Sequence, residues 1–358
     1  MTPPKRQRPK KQAEQAKPHT ESALETVKSL AEYEHAKPKQ LSLFELLSLN
    51  EKRFSNTIEL YDFMPKYHWG KVERIGGEFL RALEREFTCR GKKYKIKIKP
   101  ASIEDKDGTE RYYYPSKREE LVEDALRKFA TQGHGLFLDD QAGVTFTLYQ
   151  LQKELQRNGH TYSIRELKDA LYICQQTNLI VHNEDGSAVL LSSMFETVGL
   201  QTREDWKGHG EKTRAFVRFN TLVTESIKNG SYRQLNYEKS MTYKSVISRQ
   251  LHKRMSHHYV QADITQPYSI MLLTLIRDFG ITKYAQLRDN LRQVEAALKE
   301  MQAKEVLLYF KVEKTLDIGN RNKLMDAKFI LTPHPNFRGE VIQANKKQKD
   351  IVQQLSSE

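Results

Sequence analysis

Three helices followed by a two-stranded hairpin occur twice in this chain, and that repeated order limits the fold more than any other feature. In the first copy REELVEDALRKFA (118–130) has the spacing of an amphipathic helix and GVTFT (143–147) that of a short strand. LYQLQKELQRNG (148–159) is a second helix stopped by Gly159, and SIRELKDALYIC (163–174) a third. NLIVHN and AVLLSS are strands joined by Glu184-Asp185-Gly186-Ser187, whose Asp-Gly pair favours a tight hairpin turn. In the second copy YKSVISRQLHKRMSHHY (243–259), SIMLLTLIRDFG (269–280) and YAQLRDNLRQVEAALKEMQAK (284–304) are helices. VLLYFKVE (306–313) and DAKFILT (326–332) are strands, with KTLDIGNRNKLM (314–325) as their connection. This is the order of a winged helix. The expectation is an α+β, mainly helical chain with two tandem winged-helix domains and a β-hairpin-containing N-terminal region.

The third helix of each copy has two chemically distinct faces. In the first, Ser163 and Glu166 form a capping box, and Ile164, Leu167, Leu171 and Cys174 share one side. Arg165, Lys168, Asp169, Tyr172 and Gln176 share the other. In the second, Leu287, Leu291, Val294, Leu298 and Met301 lie in register; Arg288, Arg292 and Lys299 form an opposite stripe, with Asp289 and Gln293 beside it. A helix that reads DNA needs such a face, because it must bring donors to phosphates and base edges in the major groove. An ordinary solvated face has the same composition, so a single helix leaves both readings open. Two copies, both presenting basic third helices and wings, favour duplex binding. The candidate DNA-binding residues are Arg165, Lys168 and Tyr172 in the first copy. In the second they are Arg288, Arg292, Gln293 and Lys299, with Arg321 and Lys323 (and Lys314 near them) on the wing.

Upstream, residues 1–39 read as a disordered basic arm, either a solvated tail or a diffuse phosphate binder. Residues 40–57 are a short apolar peptide and linker. In 58–117, FLRALEREF (79–87) has helical spacing, and FTCRGKKYKIKIKP is a hairpin about Arg90-Gly91-Lys92. Its second arm points Tyr94, Ile96 and Ile98 one way and Lys95, Lys97 and Lys99 the other, a lysine face that either follows phosphates or is simply solvated. The first winged helix is assigned to 118–219, the second to 220–335, and a tail to 336–358.

A formal net charge of +13 points to a polyanion partner. Two distant cysteines, Cys89 and Cys174, fit neither a disulfide framework nor a zinc site and suit a reducing cytoplasm. There is no apolar run of membrane-spanning length, and MTPPKRQRPKKQAEQ lacks the apolar stretch of a secretory signal. No H-x-H pair stands ready to hold a metal for a tyrosine nucleophile, and His257-His258 read as surface or packing residues. WKGHGEKTR (206–214) lacks the Gly-Lys order of a P-loop, and the DFG at 278–280 has no kinase partners. No enzyme activity, metal or cofactor is expected.

GVTFTLYQLQKEL (143–155), YSIRELKDALYICQQTNLIVHNEDGSAVLLSSMFE (162–196), the helix 243–259 and the segment 287–312 resemble the winged helices of TrfA-like plasmid replication initiators, a group of iteron-binding Rep proteins. The resemblance covers about 140 to 332. It implies binding to repeated sites in double-stranded plasmid origin DNA, bending and opening of an A+T-rich segment, and recruitment of host helicase, initiator and polymerase machinery. It also implies a possible monomer–dimer equilibrium. Within KPKQLSLFELL (37–47), Gln40-Leu41-Ser42-Leu43-Phe44 resembles the peptide by which replication proteins dock on the bacterial sliding clamp. Leucine and phenylalanine anchors on an extended peptide suit apolar pockets; the start of a helix packing on this chain is the other reading. A winged-helix repressor, including one that acts on its own promoter, and a nicking-type enzyme are the alternatives to an initiator. The clamp peptide separates initiator from repressor, and metal-dependent cleavage would mark the nicking enzyme.

Overall fold

The computed structural model describes residues 53–70, 80–104, 108–138, 140–186, 189–200 and 215–357. The basic arm, the peptide Gln40–Phe44 and the WKGHGEKTR loop lie outside the described residues. Strand β1 (Phe54–Thr57) and the short helix α1 (Glu59–Phe63) lead to β2 (Leu83–Cys89) and β3 (Lys92–Lys99). The helix expected over 79–87 is therefore a strand from Leu83 onward. Its apolar spacing fits both periods, and pairing decides between them: Leu83 faces Ile98, Phe87 faces Tyr94 and Cys89 faces Lys92. Arg90 and Gly91, at φ 49° and 74°, close the hairpin in the left-handed conformation that two-residue turns require. Ile96 and Ile98 are buried, while Lys95 and Lys99 are exposed, as alternation predicts.

Strands β4 (Ala101–Glu104) and β5 (Glu110–Tyr113) form a small hairpin ahead of helix α2 (Lys117–Phe129). A π-helical turn (Ala130–His134) then leads into β6 (Gly135–Leu138) and β7 (Gln141–Phe146). Helices α3 (Leu148–Arg157) and α4 (Ile164–Gln176) precede strands β8 (Asn178–Asn183), β9 (Val189–Ser193) and β10 (Phe195–Leu200). Strand β11 (Ala215–Phe219) joins β10, β7 and β6 in a four-stranded sheet. The hairpin β8–β9 joins β2 and β3 in another, through β3–β8 pairs such as Ile96 to Val181 and Ile98 to Leu179. The N-terminal hairpin is thus part of the first module rather than a separate region.

Helix α5 (Thr221–Lys228), β12 (Arg233–Asn236) and α6 (Tyr237–Met241) carry the chain to the second module. Its elements are α7 (Val246–His258), β13 (Tyr268–Met271), α8 (Leu272–Asp278), α9 (Leu287–Ala303), β14 (Leu307–Asp317) and β15 (Lys323–Pro333). The segment 269–280, expected to be one helix, begins as a strand because Ser269 and Ile270 pair with Ile330 and Phe329. The hairpin arms also run further than expected, to Asp317 and from Lys323, leaving a turn of 318–322. Residues 336–358 were expected as a tail; Pro335–Ser357 is instead helix α10. Helix and strand are mixed rather than mainly helical, with fifteen strands beside ten α-helices among the described residues.

Two helices depart from the amphipathic pattern. Residues 119–129 of α2 and 247–256 of α7 are buried along their whole length, charged side chains included. Their charges satisfy one another. Glu120 accepts from Arg249 Nε (2.9 Å), Gln250 Nε2 (2.7 Å) and Lys253 Nζ (3.2 Å). Lys253 also reaches Asp124 (2.7 Å), and Arg127 meets Asp62 through both Nη atoms (2.9 and 2.7 Å). Lys66 and Tyr67 both approach Glu123. Burial alone would raise Glu120 and Asp62, but the guanidinium of Arg249 (with Lys253) and that of Arg127, respectively, hold each below its ordinary value. Burial prevails at Asp124 and pushes it up. This cluster joins the modules, and α10 straps across them: Gln348 donates to Gly230 O (2.5 Å), Arg233 to Asn345 Oδ1 (2.6 Å), and Asn236 to Glu340 (2.8 Å).

Candidate nucleic-acid interface

In the second module, Leu291, Val294, Leu298 and Met301 of α9 are buried against Leu251, Met255, Leu272 and Phe329 in one core. That fixes the opposite side outward, and Arg288, Arg292, Gln293 and Lys299 are all exposed. The entry to α9 is pinned by buried Asn290, whose Oδ1 accepts from Tyr284 N and whose Nδ2 donates to Thr282 O, each at 2.9 Å. Its far end is tied to α7 by Glu300, which accepts from Lys244 N (2.7 Å), Ser245 N (3.1 Å) and Ser248 Oγ (2.7 Å). The helix is therefore presented on a fixed support.

The outward residues differ in their engagements. Arg288 Nη2 donates to Asn322 O at 3.0 Å, joining the start of α9 to the hairpin turn. Arg292 pairs with Asp289 at 3.0 Å, one turn back on the same helix, and Gln293 donates to Tyr284 Oη at 2.9 Å. On the hairpin, Lys311, Lys314, Arg321, Lys323 and Lys328 are exposed. Arg321 and Asn322 take left-handed φ values of 49° and 53°, which folds the turn back toward Arg288. Arg288, Arg321 and Lys323 are thereby brought together. Lys328 is exposed on the strands of the same hairpin, and Lys311 beside it pairs with Glu313 at 2.8 Å.

In the first module the capping box forms as expected: Glu166 N donates to Ser163 Oγ (3.2 Å) and Ser163 N to Glu166 Oε2 (2.7 Å). Leu167, Ala170, Leu171, Ile173 and Cys174 are buried, and Arg165, Lys168, Tyr172 and Gln176 are exposed. Burial pushes the Cys174 thiol well up, which makes it a packing residue. On the preceding helix Tyr149 is exposed, with Lys153 Nζ 5.4 Å from its ring centre, a cation–aromatic pair the sequence reading did not single out.

The first hairpin does not match the second, although both wings were expected to be basic. Its tip carries Glu184 and Asp185, and Glu184 pairs with Lys93 of β3 at 2.9 Å. Lys97 meets Glu84 (2.9 Å) and Lys95 meets Glu86 (3.8 Å), so the lysine face is a ladder of exposed ion pairs. These residues border a groove of about 770 Å³ whose other wall is Ile276, Arg277 and Thr282 of the second module. Net positive charge lies on the second hairpin, 307–333, where five Lys and Arg stand against three Asp and Glu, while α4 and α9 carry as many carboxylates as cations and present the cations on an exposed face. His257 and His258, read as packing or surface residues, pack against Phe63, edge-on and tilted, with ring centres 5.6 and 4.9 Å away. Among the described residues no cluster of three or more His, Cys, Asp or Glu is placed to hold a metal ion. Among them, no helix is long and apolar enough to cross a membrane.

No family model matches the chain, and no curated protein matches it either. Solved structures to which the chain is similar include the following three, each with a TM-score below 0.5. A selenomethionine derivative of domains 2 and 3 of RctB has a TM-score of 0.46 at 10% identity, covering 72% of this chain and 92% of that one. A second structure of RctB domains 2–3 has a TM-score of 0.43 at 11% identity, covering 75% and 96%. The Pi initiator protein in complex with iteron DNA has a TM-score of 0.48 at 12% identity, covering 80% of this chain and all 100% of that one.

Proposed function

We propose that this protein is a replication initiator that binds repeated sites in plasmid origin DNA through two winged helices, α2 to β9 and α7 to β15. The observation that carries the reading is the coupling of α9 to its hairpin. An exposed basic helix face, supported along its length, is tied through Arg288 and Asn322 to a cationic turn. In this reading α9 lies in a major groove with Arg292 and Gln293 toward base edges, while Arg321 and Lys323 meet the adjacent backbone. Helix α4, with Arg165, Lys168 and Tyr172, makes the corresponding contact for the first module. Arg288 holds the wing in place before DNA arrives. Protein and DNA then associate without covalent chemistry, metal or cofactor, and binding leads to origin opening and recruitment of host helicase. Residues 40–44 dock on the sliding clamp, and the protein acts in the bacterial cytoplasm with a monomer–dimer balance of its own.

The test is a footprint over the DNA flanking the gene. Regularly spaced, phased protection at direct repeats supports the initiator; a single inverted site supports a repressor instead. Binding to purified sliding clamp that survives replacement of Leu43 and Phe44 by alanine would remove the clamp contact. Relaxation of supercoiled origin DNA in manganese would contradict the absence of catalysis.

A further inference from the structure

The tip of the β14–β15 hairpin carries more than phosphate contacts need. Ile318 is 86% exposed, Met325 50% and Leu316 41%. Single exposed apolar side chains are common on any surface, but these three are grouped at the end of one projecting hairpin. Met325 sits at a bulge: pairing steps from Thr315–Asp326 to Leu316–Leu324, and Met325 has no residue opposite. A bulge bends its strand and re-aims the side chains beyond it. Lys314, Arg321 and Lys323 surround the same tip and are exposed. The turn is anchored to α9 by the Arg288–Asn322 bond of 3.0 Å.

We infer that this tip is a wedge for duplex DNA. Ile318, with Leu316 and Met325 behind it, enters between stacked base pairs from the minor groove while the three cations hold flanking phosphates, and the duplex kinks there. The inference rests on the DNA-binding reading of the second module and adds the deformation to it. Charge favours this occupant, since Lys314, Arg321 and Lys323 outnumber the one carboxylate at the tip, Asp317, and an apolar point in net positive surroundings matches base steps flanked by phosphates. Size favours it too. Three side chains offer far less than the roughly 800 Å² per partner of a stable protein interface, whereas one or two aliphatic side chains suffice to unstack a base step and bend DNA by about 20–90°. The strain is offset by the contacts of α9 next to it.

The experiment uses the full chain and two end-labelled duplexes of roughly 30 base pairs. One carries a protected repeat from the footprint and the other has mixed sequence at low salt. Energy transfer between the ends reports the bend, and anisotropy in the same titration reports binding. Wild type should bring the ends together. Ile318→Ser, and Ile318→Ser with Met325→Ser, should bind about tenfold more weakly and leave the bound duplex near its free length. Arg321→Ala should also weaken binding but keep the bend. An unchanged unfolding midpoint for the serine variants is expected, because the side chains are exposed. A bound Ile318→Ser complex as bent as wild type would overturn the wedge. So would a straight wild-type complex, or serine variants that change only self-association. Absence of binding by wild type to either duplex overturns the DNA-binding reading itself, and the wedge with it.

Discussion

Replacing Glu120 by alanine should be among the most damaging single changes in the protein. Glu120 and Arg249 are both fully buried, at 0% exposure. Removing the carboxylate strands the guanidinium, which would keep its 3.3 Å bond to Tyr243 O, while its Nη2 has no hydrogen-bond partner among the described residues. Lys253 keeps Asp124 at 2.7 Å, so one uncompensated cation is left rather than two. Breaking a buried pair by deleting one partner costs about 3–5 kcal/mol, a large part of a typical total of about 5–15 kcal/mol. Urea unfolding followed by circular dichroism should show the midpoint falling by at least about 1 M. Glu120→Leu combined with Arg249→Met should cost less than Glu120→Ala, because no charge is left buried. A loss below about 1 kcal/mol for Glu120→Ala, or a double variant as costly as the sum of its parts, would refute the view that mutual compensation keeps these charges in the core.

Other consequences are equally checkable. Burial holds His252 and His257 down to about 3 and about 4 from an ordinary 6.5. The unfolded chain therefore takes up those protons first; stability is full above about pH 6.5, and each histidine removes about 2 kcal/mol between pH 7 and pH 5, so an unfolding free energy flat across that window would contradict the assignment. Gly230 has φ +60°, and an added Cβ would lie 2.5 Å from Ile351 Cγ2 and 2.8 Å from Leu355 Cδ1; Gly230→Ala should loosen the end of α10 and cost about 1–3 kcal/mol, seen as faster amide exchange in 345–355. Ser163→Ala removes one half of the capping box of α4 and should lower stability by about 1 kcal/mol, measured by the same denaturation. Arg292→Ala should weaken binding to the protected repeat by about 1–3 kcal/mol and relax preference at one base pair, whereas Lys299→Ala should weaken all sequences alike; competition assays with repeat and mixed-sequence duplexes separate the two.

What the sequence made legible follows from the range of the interactions involved. Helix α4 was readable because its capping box and apolar spacing are local, within Ser163 to Cys174. The lysine alternation of β3 was readable for the same reason. The strand Leu83–Cys89 was misread because Leu83 and Phe87 are four apart, which suits a helix, while Leu83, Phe87 and Cys89 are also spaced in even steps; only the partner strand decides. Strand Tyr268–Met271 was hidden in an apolar run whose pairing partner lies about sixty residues on. Burial of Arg249, Gln250 and Lys253 could not be seen at all, since their counter-charges sit near 120, on the other module. Helix α10 was passed over because the polar run from Lys346 to Asp350 resembles a tail, and its apolar contacts, Phe337, Val341, Ala344 and Ile351, are spread thinly along it. The candidate DNA residues were found by spacing alone, but the bond from Arg288 to the turn needed the fold.

The sharing of one sheet by β3 and β8 has a practical consequence for dissecting the molecule. A fragment cut at residue 118 would lose the Ser116 cap of α2 and leave the whole length of β8, from Asn178 to Asn183, as a raw border with its β3-facing amides and carbonyls open to water. Such a border invites another polypeptide to dock as the missing neighbour. A truncated first module is thus expected to clump, and the sound place to divide the protein lies ahead of Phe54, which keeps β1 on β12 and Asp62 on Arg127.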